Sequence, residues 1–220
     1  MNKEELIELI ETYLHRIRFA NDCFIAYKSI ITATTTYNAV INQSPAFFSL
    51  SFLALERCFL LELAKLYKGS VDDRTLPKLK KDINANQQLF PKTIDCTPVY
   101  EEENGYCPQK DIRRINLSIT LSDFDKNYDC ISKIINSLNV RRDKYIAHND
   151  KAYFYTQKQL NEDYPLSFND IEKAIEFAGD FCNQMLSYLN GNMISLKSQN
   201  ANDLAELLSK CVLYNSEVSP

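Results

Sequence analysis

The sequence predicts an all-α protein, a bundle of about five or six helices. Apolar residues recur at three- and four-residue spacings along most of the chain, as one face of a helix requires. Only 4 glycines and 7 prolines occur in 220 residues, and this scarcity favours helices over turn-rich β architectures. A chain of this length buries enough surface to fold without disulfides, and we expect one domain over residues 1–220.

The first two helices have the clearest patterns. The apolar stripe of the first helix consists of Leu6, Leu9, Ile10, Tyr13, Leu14 and Ile17. Its continuation is weakened by the β-branched residues of Thr32–Thr36. The second helix is predicted to begin with Ser44 as N-cap and Pro45 in its first turn, and to end at Gly69. Because its interior is apolar nearly all round, we expect this helix at the centre of the fold.

The second half of the chain alternates between helices and polar segments. A weaker third helix is expected near Leu76–Phe90, and the polar stretch 91–121 is expected to be a long irregular insertion. A fourth helix is predicted to open at Ser122, with the apolar stripe Phe124, Tyr128, Ile131, Ile135 and Leu138.

The last two helices complete the bundle. The fifth helix is predicted to begin at Ser167, with Asp170 in a capping box, and to end at Asn190-Gly191. A short C-terminal helix and tail are expected within 195–220.

Composition excludes several classes of function. The net charge of −4 provides no global cationic surface, so contact with a nucleic acid would need a local basic patch. The acidic, amphipathic N-terminus does not resemble a signal peptide and no long apolar run occurs, so we expect a cytoplasmic protein without a membrane partner. Seven cysteines form no C-x-x-C pair and only two histidines occur, so we expect no metal and no other cofactor.

One short basic segment stands apart from this acidic background. Residues 141–151 contain the basic residues Arg141, Arg142, Lys144 and Lys151, the acidic residues Asp143 and Asp150, and His148. Imidazole exchanges protons near neutral pH, and guanidinium binds phosphate oxygens through a bidentate fork. Together these groups suit cleavage of an RNA phosphodiester.

The spacing leaves two arginines as candidates. On a continuous α-helix, Arg141 and His148 would lie on one face, whereas Arg142 would point about 120° away from His148. Arg142 and His148 can converge only if the helix is interrupted between them, or if the motif meets another copy of itself.

The segment Arg142–His148 resembles the motif of the HEPN superfamily (higher eukaryotes and prokaryotes nucleotide-binding), in which an arginine and a histidine flank a short spacer. A polar residue often follows that arginine, and Asp143 fits this place, which favours Arg142 over Arg141. The string RDKYIAHND and the stretch Leu61–Ile83 are similar to an AbiU-like branch linked to abortive phage infection. Together the two segments cover about one residue in seven of the chain.

The resemblance implies a HEPN-like helical bundle that forms a homodimer, with the motifs of two protomers in one cleft. It implies Arg142 and His148 as the catalytic pair, with Asp143 as a polar modulator. We expect Arg141, Lys144 and Asn149 to contact RNA. The implied reaction is metal-independent RNA cleavage that leaves a 2′,3′-cyclic phosphate and a 5′-hydroxyl.

Three function classes remain open at this point. The first is a HEPN-type endoribonuclease of an antiphage, abortive-infection or toxin–antitoxin system, with an antitoxin or other protein as a further partner. The second is a non-catalytic dimeric module that binds RNA, a nucleotide or a protein, which the acidic net charge favours. A purely structural helical adaptor is a third reading.

Overall fold

A computed structural model describes residues 1–68, 74–95, 112–147, 157–198 and 202–218. Within these ranges the chain forms a helical bundle with one short β-ribbon, which confirms the predicted all-α fold. The elements are α1 (Lys3–Thr36), α2 (Asn38–Ile41), α3 (Pro45–Tyr67), α4 (Leu76–Ala85), a 3-10 turn (Gln87–Leu89), β1 (Thr93–Asp95), β2 (Ile112–Arg114), α5 (Leu117–Cys130), α6 (Ser132–Arg141), a π-helical segment (Arg142–Ala147), α7 (Gln157–Asp163), α8 (Phe168–Asn190) and α9 (Asp203–Val218). None of the helices in the described ranges has the length and apolar character that a membrane span needs.

The centre of the bundle is built from α1, α3 and α8. Helix α1 packs along both α3 and α8, and its apolar stripe is buried as the periodicity predicts. The fully buried side chains of the three helices include Leu6, Ile10, Leu14, Ile17, Leu63, Leu66, Ala174, Ala178 and Cys182. This shared core holds the C-terminal half of α3 rigidly, and the predicted motif lies against that half.

Helix α1 runs through the β-branched residues that weaken its predicted continuation. It ends at Thr36, after Ala33, which is buried in a second small core with Ile41 and Leu208. Tertiary packing against α2 and α9 therefore outweighs the low helix propensity of the threonines.

Helix α3 begins at Pro45 as predicted, but its start differs in detail from the prediction. The Ser44 side chain makes no capping hydrogen bond. The prediction of a wholly central helix is wrong for the first half, because Phe47, Leu50 and Leu53 are 65%, 70% and 41% exposed. Only the half from Phe59 onwards is buried.

The predicted insertion 91–121 is narrower than expected. Strands β1 and β2 pair antiparallel, with Thr93 opposite Arg114. Helix α5 begins at Leu117 rather than at Ser122, because Asn116 caps it by accepting from the Ile119 N–H at 3.1 Å. The single predicted fourth helix is divided at Ile131 into α5 and α6. Residues 96–111 of the insertion lie outside the described residues.

The boundaries of α8 are confirmed. Ser167 and Asp170 form a reciprocal capping box at its start, and Gly191 ends the helix in the left-handed conformation with φ of 78°. An irregular segment, the strap, follows over residues 192–198. The side chain of Asn183 bonds to both the N–H and the carbonyl of Ile194 in this strap. The C-terminal helix α9 has 16 residues and is longer than the short helix expected there.

Candidate functional site

The basic motif lies where α6 changes its helical type. α-Helical hydrogen bonding ends at Arg141, and a π-helical segment continues over Arg142–Ala147. A π-helix closes its hydrogen bonds from i to i+5, so the angle per residue of an α-helix no longer applies. The α-helix is thus interrupted after Arg141, which meets one of the two conditions under which Arg142 and His148 can converge; their convergence itself stays a prediction. Such π segments often occur at functional sites.

Arg142 is held in place through two of its three guanidinium nitrogens. Its Nε donates to Oδ1 of Asp143 at 2.7 Å, and its Nη1 donates to the carbonyl of Lys68 at 2.9 Å. The Arg142 side chain is 18% exposed. Among the described residues, nothing accepts a hydrogen bond from Nη2. The guanidinium is therefore fixed through Nε and Nη1, which leaves Nη2 as the donor for a phosphate oxygen.

Asp143 orients Arg142 directly. Its carboxylate is 44% exposed and forms an ion pair with the neighbouring guanidinium. A charge-assisted bond of this kind restricts the guanidinium to one orientation at the C-terminus of α3. This geometry fits the predicted role of Asp143 as a polar modulator, a role that stays a prediction.

Arg141 points to a different part of the fold. Its Nε and Nη2 donate to the carbonyl of Tyr164 at 3.0 and 2.9 Å. Burial lowers the pKa of the Arg141 guanidinium, and the charge of Glu56 on α3 opposes this shift. Arg141 therefore connects the start of the motif to the end of α7 and lies close to a half-buried carboxylate.

The pKa values of two neighbouring groups reflect the same environment. Burial raises the pKa of Glu56, while the charges of Arg141 and Arg57 lower it in part. Burial also raises the pKa of Tyr27 to about 12, an effect to which the charge of Glu56 adds. Burial beside Arg141 therefore disfavours charged side chains, and the positive charge of Arg141 partly offsets the rise in the pKa of Glu56.

Lys144 contacts the ring of the same tyrosine. Its Nζ lies 5.7 Å from the ring centroid of Tyr164, within the range of a cation–π contact. Tyr164 is thus held by Arg141 at its carbonyl and by Lys144 at its ring. The expectation that Arg141 and Lys144 contact RNA stays a prediction, and both side chains have these intramolecular partners.

The structure brings four of the predicted residues together. Arg141, Arg142, Asp143 and Lys144 lie between the C-terminus of α3 and the end of α7. His148 and Asn149 lie outside the described residues, so their positions relative to Arg142 stay predictions. In the described ranges, no group of three or more His, Cys, Asp or Glu residues is arranged to hold a metal ion.

Sequence reasoning did not find the two backbone partners of the motif. The carbonyls of Lys68 and Tyr164 leave no signal in the sequence, since every residue type carries a backbone carbonyl. Glu56 did carry a signal, because an acidic residue within an apolar helical run is rarely buried without a partner.

The fold and the site define a class of protein. The resemblance of the motif to the HEPN superfamily implies a helical bundle, and the structure places the motif's arginine at the end of a helix in such a bundle. The family model of AbiU2, a HEPN family, matches residues 3–208, and the chain therefore belongs to the AbiU2 family of abortive-infection HEPN-type proteins. No curated protein and no solved structure gives a significant match to the chain.

Proposed function

We propose that this protein is a metal-independent endoribonuclease of an abortive-infection or toxin–antitoxin system, with Arg142 and His148 as its catalytic pair. The fixed orientation of Arg142 carries the proposal. Asp143 and the Lys68 carbonyl hold two of its three guanidinium nitrogens, and the AbiU2 family model spans the residues that carry the motif. A preorganised cation of this kind stabilises charge that develops in a transition state.

The proposed reaction is an internal transfer at phosphorus. The 2′-oxygen of a ribose attacks the adjacent phosphorus, and the bond from phosphorus to the 5′-oxygen of the next nucleotide breaks. One proton leaves the 2′-hydroxyl and one arrives at the departing 5′-oxygen, which yields a 2′,3′-cyclic phosphate and a 5′-hydroxyl. We assign the exchange of one of these protons to His148, because an unperturbed imidazole is the side chain whose pKa lies nearest neutrality. Arg142 neutralises the charge on the non-bridging oxygens.

The proposed active form is a homodimer. Two copies of the motif in one cleft would supply two imidazoles and two guanidinium groups to one phosphate. With two histidines, one can accept a proton while the other donates one.

A second function, a dimeric module that binds RNA, a nucleotide or a protein without cleaving, has its own support. The chain carries a net charge of −4, and two nitrogens of Arg142 already donate to the protein itself. In this reading, the same arginine would bind a phosphate without chemistry.

Incubation of the purified full-length protein with RNA in EDTA separates the two functions. We expect cleavage with 2′,3′-cyclic phosphate ends, and we expect Arg142→Ala and His148→Ala to abolish it. The matched controls are His15→Ala and Arg18→Ala on α1, far along the chain from the motif, where His15 is exposed. We expect these control variants to cleave as the unmodified protein does.

Two results would refute the nuclease proposal. One is the absence of any cleavage across RNA classes although the protein binds RNA, which selects the binding module. The other is cleavage that persists in both motif variants.

A further inference from the structure

A groove between α4 and α5 is a second feature that can receive a ligand. Its volume is about 400 Å³, which is within the range of pockets that hold small molecules. Lys81 and Asn84 of α4 line one wall, and Asp125 and Tyr128 of α5 line the other together with Phe124. The groove therefore combines a cation, hydrogen-bonding groups and aromatic rings.

The wall formed by α4 is basic. Residues 74–85 contain four basic side chains and only one acidic one, in a chain whose net charge is −4. That acid, Asp82, already pairs with Arg74 and Lys78. Lys81 is exposed and has no acidic partner among the described residues, so its charge faces solvent at the groove.

An ion pair fixes the width of the groove. Lys80 on α4 donates to both carboxylate oxygens of Asp125 on α5, at 2.6 and 2.5 Å. The same ammonium lies 5.8 Å from the ring centroid of Phe124. Lys80 is thus part of the wall rather than a free ligand-binding group, which leaves Lys81 as the cation available to an anionic ligand.

The floor of the groove is aromatic. The rings of Phe124 and Tyr128 stack with centroids 5.6 Å apart and planes inclined at 25°. Phe124 is buried, whereas Tyr128 is half-buried and lines the groove. An accessible aromatic ring beside a lysine is the combination with which proteins bind unpaired nucleotides without strong sequence preference.

Tyr128 of the groove and Arg142 of the motif bond to the carbonyls of neighbouring residues at the C-terminus of α3. The hydroxyl of Tyr128 donates to the carbonyl of Tyr67 at 3.0 Å, and Arg142 donates to the carbonyl of the next residue, Lys68. The two peptide units are adjacent, with Cα atoms about 3.8 Å apart. One continuous strand could therefore occupy the groove and also reach Arg142.

We propose that the groove between α4 and α5 binds a nucleotide of single-stranded RNA next to the scissile phosphate, with Tyr128 under the base and Lys81 at a backbone phosphate. The inference rests on the proposed function, since it names the path of the same substrate. Lys81 contributes charge and Tyr128 contributes stacking, so the site selects an unpaired strand over a duplex, whose bases are already stacked.

The test measures binding of a labelled single-stranded oligoribonucleotide by fluorescence anisotropy at several salt concentrations. All variants carry His148→Ala, so that the RNA stays intact. We expect Lys81→Ala to weaken binding and to reduce the salt slope by roughly 0.7, the value of one phosphate contact on a single strand. The matched control is Lys197→Ala, an exposed lysine in the strap after α8, which should leave the affinity and slope unchanged.

A second pair of variants tests stacking. Tyr128→Leu removes the ring, and we expect the affinity for RNA to fall by about five-fold or more. Tyr128→Phe keeps the ring and should retain binding. Equal affinities and slopes for Lys81→Ala and Lys197→Ala would overturn the inference, as would an intact chain that binds no RNA.

The outcomes separate this inference from the proposed nuclease. If the protein cleaves RNA in EDTA but Lys81 and Tyr128 have no effect on binding, the nuclease proposal stands and the groove proposal fails. If Lys81 and Tyr128 control binding but no RNA is ever cleaved, the groove proposal stands and the nuclease proposal fails.

Discussion

The environment of Arg141 predicts a stability effect that depends on pH. The variant Arg141→Met keeps an unbranched apolar stem but is shorter, and it loses the charge and the donors to the Tyr164 carbonyl. Both donors share one acceptor, so we count them as one charge-assisted bond, worth about 2 kcal/mol. We expect this loss in the free energy of unfolding at every pH.

A further loss arises from Glu56. Burial raises the pKa of Glu56 in the folded state, and Arg141 opposes this shift. Without Arg141 the folded-state pKa of Glu56 rises further above its unfolded value, which is about 4.3. A raised pKa favours folding fully below the unfolded pKa, and this contribution is lost as the pH rises through the folded pKa. Arg141→Met should therefore be more destabilising at pH 7.5 than at pH 4.

Urea unfolding followed by circular dichroism measures both parts of the effect. In the background Glu56→Gln, the pH-dependent part of the Arg141→Met effect should disappear, while the loss of the Tyr164 bond remains. A destabilisation by Arg141→Met that is the same at both pH values, or that does not change with Glu56→Gln, would refute the coupling between these two residues.

Substitutions at three further positions test the site and the fold. Asp143→Ala should reduce the rate of RNA cleavage roughly ten- to hundred-fold, because it releases the Arg142 guanidinium. Asp143→Asn keeps an oxygen acceptor, so its rate should be intermediate. Equal rates for Asp143→Ala and the unmodified protein would contradict this prediction. Leu63→Ala should lower the free energy of unfolding by about 2–5 kcal/mol, because Leu63 is fully buried in the core, and a urea midpoint near that of the unmodified protein would argue against it. Gly191→Ala should cost about 1 kcal/mol from its positive φ alone, since no atom lies within 4 Å of an added Cβ, and Gly191→Asn should cost less.

Local signals predicted those parts of the fold that local chemistry determines. Ser167 and Asp170 marked the start of α8, and Gly191 marked its end, because capping geometry is encoded within a few residues. The apolar spacing of α1 likewise identified the buried face of the helix.

Tertiary contacts decided the parts that the sequence prediction missed. Helix α5 begins earlier than predicted because Asn116, rather than Ser122, is its N-cap. The break at Ile131 could not be predicted, because the same spacing of apolar residues fits one helix or two. The apolar residues at the start of α3 did not reveal that Phe47 and Leu50 are exposed, since periodicity cannot say which faces find a partner.

The candidate site shows the same division. The motif made Arg142 a candidate, and its neighbour Asp143 does contact it. The separate attachment of Arg141 to Tyr164 could not be predicted, because it depends on a backbone carbonyl that is 23 residues further along the chain.

The most direct test of the proposed nuclease is the structure of the protein bound to an RNA whose cleavable nucleotide carries a 2′-O-methyl group. We expect a homodimer in which the Arg142 guanidinium and the His148 imidazole contact the same phosphate, with groups from both protomers in one cleft. If Arg142 and His148 instead lie on separate outer surfaces with no shared phosphate, the proposed catalytic pair is wrong.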